Sequence, residues 1–529
     1  MVIRVWLLAA AATAAIATGT LANSAGQLTS KQALVQGGIA TSVPRTEQTI
    51  RRLIVKLRDE AGVAGTAAVR ASQLREVEAV AGVPLEHLRE LTGGASLVRL
   101  PQAMPLSQAR ALANRLASDP SVQYAEPDIL MKKAVVPNEP RFSEWQWTLM
   151  APTSTYSGPR LSNGAPKSAL ATGGANLPAA WDITTGSAAV VVAVIDTGIV
   201  NHPDLNGIAT PAPYVPTGRF VAGYDFISAG AQADQGLPAN FVANDNNGRD
   251  PDPTDPGDWI SASERTTFAA ACDDSSAPPG QDIPSSWHGT HVAGIIAATA
   301  NNGIGIAGVA WNVRIQPIRA LGKCGGALSD IGEAIQWAAG ASVPGIPDNA
   351  TPARVINLSL GGGDCTNNMK YMQDAVNDAI ARGSVVIAAT GNEASLGVIA
   401  PANCTGAIGV TAHTINGENA DYANVGTGTA ISAPGGGRPT LSPATADPDW
   451  SGYYVWSSVL YGDKDPFSVD SSGRSGAAYA GFTGTSAATP HVSGVAALIK
   501  SVLPSATPAQ VLQLIQSTAR AYPAGSACA

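Results

Sequence analysis

The chain has 529 residues, enough for two or more domains with their own cores. Only 14% of residues are charged while Gly (56) and Pro (37) abound, which excludes a coiled coil or a disordered polyelectrolyte and favours a loop-rich globular protein. The net charge of −8 argues against nucleic acid as a partner.

Charge is unevenly divided. Residues 1–133 carry 15 Lys+Arg against 10 Asp+Glu, and residues 134–529 carry 17 against 30. A basic leader and an acidic body attract each other. The leader opens as an export signal over residues 1–22, with Arg4 as its basic start, an apolar run from Val5 to Ala17 and small residues at Thr20-Leu21-Ala22. No later apolar run is long enough to span a bilayer, so an exported protein free of the membrane is expected.

Residues 23–50 are polar and irregular, a linker by composition. Arg51 to Lys133 spells a small αβ unit, with strands at Leu53–Leu57, Ala95–Leu100 and Val122–Asp128 and helices at Ala71–Ala81 and Ser107–Ala117. That β-α-β-α-β order fits a ferredoxin-like module. The Pro-, Ser- and Gly-rich stretch from Lys132 to Gly174 marks a boundary.

Ala188 to Ile195 is a continuous apolar run, as in a strand buried on both faces of a parallel sheet. It ends in Asp196-Thr197-Gly198. Functional groups of open α/β sheets gather beyond the carboxyl ends of strands, which places Asp196 well. Residues 206–287 form a long polar insertion. Within it Asp245, Asp250, Asp252, Asp255 and Asp258 lie on a Pro- and Gly-rich backbone that suits either Ca²⁺ or solvated Asx and Pro turns.

Trp287-His288-Gly289-Thr290-His291 opens a helix whose face is Val292, Ile295, Ile296 and Thr299, putting His288 in the first turn. A zincin helix needs H-E-x-x-H, and that Glu is missing, so His288 is expected to act as a base rather than a metal ligand. Strands and helices then alternate: Val313–Ala320, Ser329–Ala339, Val355–Leu360, Asn368–Arg382, Ser384–Ala389 and Ala407–Ala412, as in a parallel sheet between helices. Gly391-Asn392 follows one strand directly. Gly484-Thr485-Ser486-Ala487-Ala488-Thr489-Pro490-His491 precedes Val492, Val495, Ala496 and Ile499 at helical spacing, so Ser486 sits at a helix start, where unpaired N–H groups favour an anion. Cys272, Cys324, Cys365, Cys404 and Cys528 form no C-x-x-C pair, and in an exported chain they are expected in disulfides.

Asp196, His288 and Ser486 form a set that chemistry can use. A serine hydroxyl needs a base to take its proton, the base needs a carboxylate to orient it, and the oxyanion needs donors in place. Val194-Ile195-Asp196-Thr197-Gly198, His288-Gly289-Thr290-His291-Val292-Ala293-Gly294, Ala389-Thr390-Gly391-Asn392 and Gly484 to His491 resemble, in that order, the motifs of the subtilisin-like serine proteases, over roughly residues 135–527.

The resemblance implies a three-layer α/β subtilisin-like fold, a central mostly parallel sheet flanked by helices, preceded by a small ferredoxin-like α+β propeptide domain. Residues 1–22 become a signal peptide, 23–133 a propeptide that chaperones folding, inhibits intramolecularly and is cut off near Lys133-Ala134, and 134–529 the catalytic domain. The activity implied is a secreted serine endopeptidase acting on polypeptides as a monomer. Ser486 is its nucleophile, His288 its general base then acid, Asp196 the orienter, and Asn392 with the Ser486 N–H its oxyanion hole. Ser359, Leu360, Gly361 and Gly362 resemble the edge to which a substrate adds as a strand.

Structural Ca²⁺ is implied at Asp204 and Asn302 with carbonyls of Ala300, Ile304 and Ile306, and a second site would draw on Asp245, Asp250, Asp252 and Asp258. Disulfides Cys272–Cys324 and Cys365–Cys404 are expected, with the partner of Cys528 beyond the C-terminus. Ala487 stands where Met is common in the family. The segment from Gly437 to Gly481 is longer and richer in aromatics (Trp450, Tyr453, Tyr454, Trp456) than expected, and the chain stops soon after its last helix, Pro508 to Ala519, as an incomplete C-terminus would. Three other readings compete. A lipase or esterase needs G-x-S-x-G and a serine that precedes its Asp and His, which is not the order here. A metalloprotease lacks its motif, and a catalytically inactive binding or adhesion protein would keep the four motifs without the activity.

Overall fold

The computed structural model describes residues 2–3, 49–58, 77–91, 94–128, 136–158, 167–230, 236–272, 280–440, 453–526 and 528. The export signal beyond residue 3, nearly all of the linker, the first half of the Ala71–Ala81 helix, the Lys133-Ala134 junction and Trp450 lie outside the described residues. The chain divides into two compact units, Ala9–Lys133 and Ala134–Ala529 together with Met1–Leu8.

The smaller unit contains β1 (Thr49–Leu57), a helical stretch at 77–81, β2 (Glu86–Glu90), β3 (Ser96–Pro105), α1 (Leu106–Ala117) and β4 (Val122–Pro127). Its strands form an antiparallel sheet of order β2-β3-β1-β4. The expected β-α-β-α-β order lacked β2, and adding it gives the full ferredoxin-like β-α-β-β-α-β. Glu86-His87-Leu88-Arg89-Glu90 shows no apolar alternation because it is an edge strand, where charged side chains guard an open rim. Leu53, Val55, Val98, Leu100, Leu112 and Leu116 form the core.

The larger unit is built on β5 (Val191–Asp196), β6 (Tyr224–Asp225), α2 (His288–Ala297), β7 (Arg314–Arg319), α3 (Leu328–Ala338), β8 (Val355–Leu358), α4 (Lys370–Ala381), β9 (Val385–Ala389), β10 (Ile408–His413), β11 (Thr429–Pro434), β12 (Val455–Leu460), β13 (Ala477–Phe482), α5 (Thr485–Val502) and α6 (Pro508–Thr518). The sheet runs β11-β10-β9-β8-β5-β7-β6 with every neighbouring pair parallel, and short pairings of Val2–Ile3 and Ala519–Arg520 extend its β11 edge. Successive side chains of β5 enter opposite layers. Val192 and Val194 join Val292, Ile296, Val492 and Val511 from α2, α5 and α6, whereas Val191, Ala193 and Ile195 join Ile335, Met372 and Val376 from α3 and α4. That alternation is why the run is apolar throughout.

After β5 the chain builds β6 and β7 on one side and β8 to β11 on the other. The carboxyl end of β5 is therefore a topological switch point, where a crevice opens. Besides the short β6 and the antiparallel pair Thr155–Gly158 and Lys167–Leu170, the sequence reading missed β11 and the antiparallel hairpin β12–β13 inside the aromatic-rich segment. The hairpin is bonded to α2, its Val455 and Ala480 carbonyls lying 3.1 and 3.2 Å from His291 Nε2. Disulfides join Cys272 to Cys324 and Cys365 to Cys404, and Cys528 is exposed as a free thiol.

Candidate active site

Asp196 ends β5 fully buried, and its Oδ1 accepts from His288 Nδ1 at 2.7 Å and from the Thr197 N–H at 2.8 Å. His288 is the first residue of α2, and its side chain keeps 22% exposure, enough to meet a substrate. The helix starts this close because residue 289 is glycine: a Cβ there would lie 2.2 Å from the Gly198 carbonyl oxygen. With Nδ1–H given to Asp196, Nε2 carries the lone pair needed to take a proton. Burial pushes the imidazole down, but Asp196, Asp258 and Asp255 outweigh it and leave its pKa raised.

Ser486 is the second residue of α5. Its Oγ donates to the Ser359 carbonyl at 2.9 Å, and Ser359 Oγ donates back to the Ser486 carbonyl at 2.8 Å. Ser359 Oγ also accepts from Asn357 Nδ2 (3.0 Å), whose Oδ1 accepts from Ser493 Oγ (2.8 Å). This buried polar string ties the serine turn to the end of β8, a link no local motif announces. Asn392 follows β9 and is exposed. Its Oδ1 accepts from Thr485 N–H at 2.8 Å and Thr485 Oγ1 at 3.0 Å, which fixes the amide with Nδ2 as the outward donor.

Ser359 is buried, Leu360 half-buried, and Gly361 and Gly362 exposed. A Cβ on Gly361 would meet the Ala400 carbonyl at 2.7 Å, so packing from below demands that glycine, whereas Gly362 has nothing within 4 Å and alone leaves room above. These residues form one wall of a cleft of about 850 Å³ that reaches His288. Leu321, Gly322, Cys324, Gly325 and Gly326 also line it and were missed in the sequence, where the glycine cluster after β7 was the available signal. Ile260 and Ile283 of the insertion line the same cleft.

Asp204 is buried. Its oxygens accept from Asn302 Nδ2 (2.8 Å), the Ile306 N–H (2.9 Å) and the Tyr479 hydroxyl (3.2 Å). Glu139 accepts from the Asn301 and Asn302 N–H groups, and its Oε2 is buried without a partner. Burial pushes both carboxyls up, Asp204 to about 6. Two buried carboxylates and an orphaned oxygen lie beside the 300–306 loop, and for these residues to hold a hard cation Asn302 would have to turn its Oδ1, which accepts from the Ile304 N–H, in place of the Nδ2 it gives Asp204. Glu139 lies in a Pro-rich stretch that gave no hint of this.

The second expected site is not assembled. Asp245 pairs with Arg319 at 2.6 Å, Asp250 accepts from Asn247 and the Asp252 N–H, Asp252 accepts from Thr254, and Asp258 accepts from Ser286. Each carboxylate is taken by its own partner, and at neither expected site do three or more His, Cys, Asp or Glu among the described residues come together.

The model of the Subtilase family matches residues 187–527. An extracellular protease of Xanthomonas campestris is 40% identical over 491 residues, covering 90% of this chain and 70% of the relative. An extracellular basic protease of Dichelobacter nodosus is 32% identical over 507 residues, covering 94% and 71%. Among solved structures, a protease from Pseudoalteromonas arctica is 39% identical with a TM-score of 0.56, covering 74% of this chain and 95% of that one. The chain belongs to the subtilase family of serine proteases.

Proposed function

We propose that this chain is a secreted serine endopeptidase in which Ser486 attacks the peptide carbonyl, His288 takes the hydroxyl proton and returns it to the leaving amine, and Asp196 orients the imidazole and stabilises its cation. Asn392 Nδ2 and the Ser486 N–H receive the oxyanion. The observation that carries the reading is the 2.7 Å bond between buried Asp196 and His288 at the switch point, where the cleft ends. Attack begins when the Ser486 hydroxyl turns from the Ser359 carbonyl to His288 Nε2, and catalytic bonds commonly tighten in this way once substrate is bound. The substrate backbone lies along Ser359 to Gly362.

Residues 23–133 act as an inhibitory propeptide removed near Lys133-Ala134, and the opposite net charges of leader and body support that role. A structural Ca²⁺ is held by Asp204, Glu139 and Asn302 with carbonyls of Ala300, Ile304 and Ile306, and neutralises the two buried carboxylates. The test is casein hydrolysis by the wild type and by Ser486→Ala. Processing and hydrolysis in the first, with neither in the second, are expected; casein cleavage by Ser486→Ala sinks the assignment.

A further inference from the structure

The first two N–H groups of α2 have no partner inside the helix, as at any helix start. Both are accepted by hydroxyls: the His288 N–H by Ser286 Oγ at 3.2 Å, and the Gly289 N–H by Thr197 Oγ1 at 3.0 Å. Each hydroxyl then donates its own proton to a carboxylate of the insertion, Ser286 Oγ to Asp258 Oδ2 at 2.7 Å and Thr197 Oγ1 to Asp255 Oδ2 at 2.7 Å. Asp255 is 1% exposed and Asp258 lines the cleft beside His288. Thr197 is also the residue whose N–H holds Asp196 Oδ1. Two hydroxyl–carboxylate pairs thus grip the catalytic helix at its tip, and one of them grips the catalytic aspartate too.

Resting on the catalytic assignment above, we propose that Asp255 and Asp258 are positioning residues for the reaction, setting His288 against Asp196 through Thr197 and Ser286 and adding negative charge beside the imidazolium. The charge effect has a definite sign. The titratable and charged groups facing His288 are Asp196 from β5, Asp258 and Asp255 from the insertion and His291 one turn along α2, and Arg319 from β7 faces Asp255. Burial lowers the His288 pKa and the three carboxylates raise it, Asp258 more than Asp255. Burial and Asp258 push Asp255 itself up to about 7, so its charge is only partly present where the imidazole titrates. Removing Asp258 therefore moves the imidazole towards a lower pKa, and removing Asp255 does so less.

The experiment measures kcat and KM on a peptide amide across pH, with active sites counted by titration, for Asp255→Asn, Asp258→Asn, Thr197→Val, Thr197→Ser and the double variant Asp255→Asn/Thr197→Val. The expected result is a fall in kcat of about 10-fold with KM little changed for Asp255→Asn, Asp258→Asn and Thr197→Val, since small displacements of a base are costly. Thr197→Ser keeps the hydroxyl and should behave as wild type. The double variant should be no worse than the poorer single, because both sever one link. The acidic limb of kcat/KM should move to lower pH, further in Asp258→Asn than in Asp255→Asn.

Wild-type kcat with an unmoved acidic limb in the two Asn variants overturns the inference, as does a loss accounted for wholly by fewer titratable sites. If Asp255→Asn does not fold, the Thr197 pair decides alone: equal activity of Val and Ser sinks the proposal. Activity surviving in Ser486→Ala would instead indict the catalytic assignment itself.

Discussion

Ser359 and Ser486 exchange hydrogen bonds, each hydroxyl donating to the other's backbone carbonyl at 2.8 and 2.9 Å. The residue at the head of the substrate edge thereby holds the serine turn in place. Ser359→Ala removes two hydrogen bonds, to the Ser486 carbonyl and from Asn357 Nδ2, and should lower kcat by about 10-fold with KM unchanged, because the residue 359 carbonyl still receives Ser486 Oγ. Steady-state kinetics checks this, and a rise in KM alone would assign Ser359 to binding.

Asn392 has its oxygen engaged by Thr485 twice, so its Nδ2 is the available donor. Asn392→Leu is expected to cost about 10²- to 10³-fold in kcat, the loss known for subtilisin itself when one such donor is removed. Asp196→Asn should cost more, about 10⁴-fold, by presenting the wrong imidazole tautomer, as the same change does in a serine protease of unrelated fold. Equal losses in the two variants would contradict these distinct roles.

Four histidines are buried and held well below their ordinary range, chiefly by burial: His202 and His491 to about 4, His291 and His413 to about 3. Each stays neutral in the folded state where the unfolded chain would bind a proton, so stability rises with pH across that interval and is lost as pH falls from about 6.5 towards 3. His288 runs the other way, its raised pKa adding stability below the unfolded value that disappears at higher pH. Asp204, Asp225 and Asp255 oppose this, burial pushing them up to about 6, 7 and 7 so that they add stability as pH falls through that range. Melting of the inert Ser486→Ala protein, free of autolysis, should therefore show Tm falling steeply only below about pH 4, where the carboxyls are protonated in both states and the histidine loss stands alone. A Tm unchanged from about pH 4 to about pH 3 would contradict this.

Calcium removal should destabilise the same inert variant. At a concentration a hundredfold above its Kd the ion contributes about 2.7 kcal/mol, which a chelator removes. Asp204→Asn and Glu139→Gln should each abolish the difference in Tm between chelated and calcium-loaded protein. A chelator without effect on the parent assigns these carboxylates to the hydrogen-bonded loop alone.

What could be read from the sequence follows from what periodicity encodes. The apolar run of β5, the face of α2 and the run after Ser486 place Asp196, His288 and Ser486 because burial dictates those patterns locally. Glu139 and the Ser493–Asn357–Ser359 string have no such signature, since their partners lie across the fold at large sequence separation. The acidic insertion shows the opposite failure. Composition announced carboxylates, but only the fold says that Asp245 meets Arg319 while Asp258 meets Ser286. The hairpin β12–β13 was hidden by the long polar turn between its strands, which breaks any two-strand pattern.

The switch-point architecture also sets when chemistry can begin. Asp196 and His288 are 92 residues apart and Ser359 and Ser486 are 127 apart, and they meet only through a parallel sheet whose strands all need crossovers. Sheets dominated by such distant pairings close slowly, because loop entropy is lost before contacts repay it. A sheet that closed around β5 before α5 docked would hold an oriented imidazole without a nucleophile. Hydrolytic power therefore cannot precede the docking of α5, and under the propeptide reading its release onto other proteins waits further, for the removal of residues 23–133.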